Sequence, residues 1–124
     1  MPPHTAGIFA VSLAVTLVAC EPKQISYSHD IRPVLDKNCL ECHAPGKPGY
    51  AASGLSVESY ENLMKGTHYA PVIKPGDEVS STLVLLISGK ADESIRMPHD
   101  GRKPLDPDEI DNIRHWIKQG AKNN

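Results

Sequence analysis

Two cysteines and a histidine stand together in Cys39-Leu40-Glu41-Cys42-His43, and their spacing constrains this chain more than any other feature. Positions i, i+3 and i+4 share one face of a helical turn. Both thiols and the imidazole can therefore address one bound object. Thiols so placed can add across the two vinyl groups of a haem, and the imidazole then lies under the iron as its proximal ligand. Other uses of the same residues fit less well. Structural zinc usually takes two separated ligand pairs, and the chain has no second cysteine pair and no finger-spaced histidine pair. A thioredoxin-like redox pair belongs near a βαβ pattern, which is not visible. A disulfide between such close cysteines closes a tiny loop and contributes little. Two unmodified core thiols beside a chance histidine is the remaining reading.

The 124 residues suffice for one domain. With 13 basic and 15 acidic residues, the charge gives no case for a nucleic-acid partner. Ile8 to Ala19 is an apolar run, too short for a spanning helix of about twenty residues but suited to a signal peptide. It ends in Leu17-Val18-Ala19-Cys20, which resembles a bacterial lipobox, in which the cysteine is lipidated and becomes the new N-terminus. Met1 to Gly7 carries no Lys or Arg, where a signal peptide usually has a basic region. An ordinary secretory signal and an uncleaved anchor are the alternatives. All three place the domain outside the cytoplasm. The expected organisation is a lipoprotein signal peptide over 1–19, a tether over 20–27 and a haem domain over 28–124. Two cysteines for haem and Cys20 for lipid account for all three thiols.

Helical periodicity and caps recur after the tether. Ser28-His29-Asp30 offers caps for a helix over about 30–38, with Ile31, Val34 and Leu35 on one face. Pro33 is tolerable within its first turn. The Pro- and Gly-rich stretch 44–54 predicts a loop. A second helix is expected over about 56–65, and a second loop over 67–78. The run Leu83 to Ile87 is compatible with a buried strand, but no partner strand is evident, so a short buried helix capped by Ser80 or Ser81 is expected. Residues 90–105 read as irregular. The last helix is the best marked: Asp106 caps it, Pro107 opens it, Glu109 completes a capping box and Gly120 ends it. Ile110, Ile113 and Ile117 make one face, with Trp116 beside them.

A haem iron with one histidine has a sixth position to fill. Met97 is the preferred ligand, in a loop between Arg96 and Pro98, where Pro98 disfavours helix at the residue before it. A thioether is neutral and polarisable, and it raises the potential. His68 is the main rival. His99 stands close enough in sequence to replace Met97 if the loop moves. Met64 reads as core, His115 as surface and His29 as a capping-region residue. Lys47, Lys74, Arg102 and Lys103 lie in loops that could rim a haem edge.

The ordered set of short motifs resembles the planctomycete-type cytochrome c domain. It comprises Asp30-Ile31-Arg32-Pro33-Val34-Leu35 before the haem motif, Pro75-Gly76-Asp77 followed by Ser80-Ser81-Thr82-Leu83, then Met97-Pro98, and the closing Glu109-Ile110 to Gly120-Ala121. The resemblance implies a small all-α domain wrapped around one covalent haem c, with His43 and Met97 as axial ligands. The expected function is single-electron transfer between donor and acceptor proteins, without enzymatic activity of its own. The expected location is the periplasmic or cell-surface side of a bacterial membrane, anchored by lipid on Cys20, with secretion as second choice. A haem-based gas or redox sensor with a displaceable sixth ligand is the alternative.

The chain has one Trp, four Tyr and a single Phe, Phe9, which lies in the signal segment. So lean a core is marginal in a small domain, and a haem would supply its missing apolar centre. Haem-free protein is therefore expected to unfold without a cooperative thermal transition, as calorimetry would show; a sharp transition would contradict this.

Overall fold

The computed structural model describes residues 1–2 and 20–124; the signal segment expected over 1–19 falls almost wholly outside them. Five α-helices and one π-helical turn form the fold, with no strand among the described residues. The all-α expectation holds.

A π-helical turn, Tyr27–Ile31, runs directly into α1, Arg32–Asn38. The cap comes earlier than expected. Ser26 Oγ accepts the His29 N–H (3.3 Å), and Asp30 Oδ2 accepts the Ser26 N–H (2.8 Å). Ser26 and Asp30 thus satisfy donors that a helix start leaves free. Ile31, Val34 and Leu35 are buried as their spacing predicts.

The loop expected over 44–54 contains a helix, α2, Pro48–Ser53. Pro48 sits in its first turn, where a missing N–H costs nothing. Gly54 closes it at φ +75°, a left-handed conformation that glycine adopts without penalty. The residues that signalled a loop are the helix's own start and stop. The next helix, α3, is Tyr60–Lys65 rather than 56–65. Its cap is Ser59, whose Oγ accepts the Asn62 N–H (3.1 Å). Val57 cannot join it, because its N–H donates to the His43 carbonyl (2.9 Å).

The apolar run forms α4, Thr82–Ile87, with Val84 and Ile87 buried. Ser81 precedes it but does not cap it through its side chain. Its buried Oγ instead accepts the Lys74 N–H (2.9 Å) and donates to the Asp77 carbonyl (2.8 Å), closing the preceding turn. α5, Pro107–Lys118, matches its signals. The Asp106 N–H donates to Glu109 Oε2 (3.0 Å), and Lys37 Nζ pairs with Glu109 Oε1 (2.8 Å), joining α1 to α5.

The π-helical turn packs on α1 and α5, and α4 packs on α5. Tyr27, Tyr60 and Trp116 form the aromatic part of the core, with ring centroids 5.2–6.4 Å apart, the range aromatic pairs favour. Trp116 Nε1–H donates to the Lys122 carbonyl (2.8 Å), and Tyr60 Oη–H to that of Ala121 (2.8 Å). The segment expected as a tether is bonded from Lys23 onward. Gln119 donates to the Lys23 carbonyl (2.9 Å) and accepts the Ile25 N–H (2.8 Å), while Asn124 Oδ1 accepts the Tyr27 N–H (2.8 Å). Among the described residues no helix is long and apolar enough to cross a membrane.

Candidate haem site

The Cys39–His43 motif is a hydrogen-bonded turn that continues α1. The Cys39 carbonyl accepts the N–H groups of both Cys42 (3.1 Å) and His43 (2.9 Å), the i+3 and i+4 pattern that its spacing anticipates. Two further bonds fix the turn from outside. The Cys42 carbonyl accepts the Tyr50 N–H and the His43 carbonyl accepts that of Val57, each at 2.9 Å. α2 and the stretch after it are thus docked on the motif.

A cavity of about 480 Å³ opens beside this turn, within the range of roughly 300–1,000 Å³ usual for ligand and cofactor sites. Cys39, Cys42 and His43 line it. Met97 joins them from the segment after α4, where its N–H donates to the Leu86 carbonyl (2.9 Å). Leu35, Leu55, Val57, Val72 and Ile87 make its walls largely apolar.

The chemistry of the motif residues fits a covalently held haem. His43 is 9% exposed. Burial pushes its imidazole below the ordinary histidine range, outweighing the Leu55 carbonyl, which acts the other way; His99 adds to the lowering. The shift is toward the neutral form, the one that binds a metal. Its buried Nδ1 lacks a hydrogen-bond partner. Burial, followed by the neighbouring Cys42 and Glu109, pushes the Cys39 thiol up to about 11. Such a thiol is not the activated thiolate of a redox pair, and Cys39 and Cys42 are not bridged. Among the described residues no three His, Cys, Asp or Glu side chains converge as a metal site would require.

The other candidate ligands lie in different places. His99 lines the cavity beside Met97. His68 lies outside it, exposed, with its ring where a side chain on Gly54 would be. Met64 is half-buried against the core. His115 is exposed, its Nδ1 2.8 Å from the Asp111 carbonyl, and His29 is exposed. Of the basic loop residues only Arg102 borders the cavity, and Lys103 borders a groove next to it.

A family model described as Planctomycete cytochrome C matches residues 39–101. The chain belongs to that family. The match starts at the first motif cysteine, extends past Met97 and covers about half of the chain. No curated protein and no solved structure shows a match. A cytochrome c domain works through covalently attached haem, and haem-based electron transfer is the chemistry to which membership points.

Gly49 is a site residue hidden in the sequence among the loop-like residues Pro45, Gly46 and Pro48. A Cβ there would lie 2.8 Å from the Cys42 carbonyl oxygen and 3.0 Å from His43 Cε1. Both are parts of the docked turn, so the clash cannot be relieved by a free side chain. Gly49→Ala is expected to destabilise the holoprotein by about 1–3 kcal/mol, measured by denaturant unfolding, and to lower the yield of covalent haem. Gly46→Ala, with open space around the added methyl, should leave haem yield unchanged.

Proposed function

We propose that this cytochrome is a monohaem electron carrier tethered outside the cytoplasm by lipid on Cys20. The observation that carries the reading is that one largely apolar cavity is lined by Cys39, Cys42, His43 and Met97 together. One motif and one such cavity suit one haem.

The haem supplies the ferrous–ferric couple. Cys39 and Cys42, both free thiols lining the cavity, would hold it covalently as thioethers. Covalent attachment keeps the cofactor from being lost outside the cell. His43 would supply the imidazole, from a turn whose Cys42 and His43 carbonyls are bonded from outside. Met97 offers the thioether that favours ferrous iron and raises the potential. With His43 and Met97 both donating to the iron, small molecules would be kept off it and no substrate would be transformed. The apolar walls exclude water and add to the preference for the reduced, less charged state. Donor and acceptor proteins dock at the cavity mouth, near Arg102. The tether is short, since the chain is bonded to the domain from Lys23 onward. A lipid on Cys20 therefore keeps the site close to the bilayer on the periplasmic or cell-surface side.

Met97→Ala tests the assignment. The wild-type ferric protein should show the weak sulfur-to-iron charge-transfer band, and the reduced protein should bind carbon monoxide slowly. The variant should lose the band, bind carbon monoxide rapidly and have a lower potential. His68→Ala should change none of these. A low-spin wild-type spectrum without the band would give the sixth position to His99. A high-spin spectrum would favour the sensor reading.

A further inference from the structure

The segment that brings Met97 to the cavity is weakly held. Its polar contacts between Ser88 and Leu105 are mostly local. Asp92 accepts from Ser94, Ile95 and Arg96, Arg102 N–H donates to the His99 carbonyl, and Lys103 pairs with Asp106. Near Met97 itself the single backbone tie is to Leu86. One contact crosses to the attachment turn: Arg102 Nη1 lies 2.8 Å from Glu41 Oε2. Among the described residues no other hydrogen bond or ion pair joins residues 39–43 to residues 88–105.

The two ends of this pair are placed where they matter. Glu41 stands between Cys39 and Cys42, so it rides on the turn that carries the thiols and His43. Arg102 follows Met97 in the same short segment and lines the cavity. Asp100 and Gly101 have successive positive φ values of 62° and 68°, which turn the chain immediately before Arg102. A non-glycine residue in that conformation is uncommon, so the turn is a feature the surrounding segment must maintain.

We propose that Glu41 and Arg102 are positioning residues that latch the Met97 segment to the attachment turn and so keep the Met97 sulfur on the iron. The inference rests on Met97 as the sixth ligand. The side chains of Glu41 and Arg102 are 71% and 40% exposed, so the latch is weak and yields to salt. It sets how often the cavity opens, and it contributes little to whether the domain folds.

The test uses reduced holoprotein and carbon monoxide, whose entry requires Met97 to leave. The binding rate of the wild type should rise roughly two- to fivefold between about 10 mM and 1 M salt. Glu41→Gln and Arg102→Gln should each be faster at low salt by a similar factor and respond little to salt. The double variant should be no faster than either single one, since all three lack the same contact. For Glu41→Gln, whose side chain does not line the cavity, haem content and thermal midpoint should stay at wild-type values, which a merely structural role would not allow. Single variants with wild-type rates and wild-type salt dependence would overturn the latch while leaving Met97 in place. A wild type without a Met97-dependent sulfur band would overturn both.

Discussion

The Cys39 carbonyl accepts two N–H groups, and the carbonyls of Cys42 and His43 each accept one from outside the turn. Backbone groups buried away from water must find partners, and here the partners come from α2 and from Val57. The attachment turn is therefore the place where the chain between α1 and α3 is docked. Its own residues need both thiols and the imidazole on one side, and the outer bonds hold that arrangement. Gly49 is required because α2 approaches the turn too closely for a side chain.

This docking divides the domain into unequal parts. On one side lies a real core, in which Tyr27, Tyr60 and Trp116 pack with Leu63, Ile113 and Ile117, all buried or nearly so. The N- and C-terminal segments are bonded to each other across this core through Gln119 and Asn124. On the other side lies the cavity, whose apolar walls lack a protein filling. Leu35 belongs to both, buried in the core and lining the cavity. The haem would be fixed to the firm part through Cys39, Cys42 and His43, and the looser Met97 segment would close on it.

Local signals were legible in the sequence where local chemistry decides. α5 could be read residue by residue, because Asp106, Pro107, Glu109 and Gly120 act within one or two turns of themselves. The haem motif was legible for the same reason. α2 was not, since Pro48 and Gly54 break helices in most positions and bound one only in this order. The start of α3 was displaced by a bond from Val57 to His43, a contact between elements that no periodicity reports. Met97 is preferred to His68 on Pro98 and the family motifs, but that Met97 lines the cavity while His68 lies outside it is a tertiary outcome no local signal reports. The Glu41–Arg102 pair was invisible for that reason too: its partners are distant in sequence and neither belongs to a patterned face.

We infer that the fold closes around one haem bound through Cys39 and Cys42. The most direct measurement is the intact mass of the purified protein after full denaturation and acid extraction, which remove any haem held by coordination alone. The denatured chain should retain the mass of one haem, and should lose it when both motif cysteines are replaced by serine. A denatured chain at its bare polypeptide mass, or one carrying two haems, would contradict it.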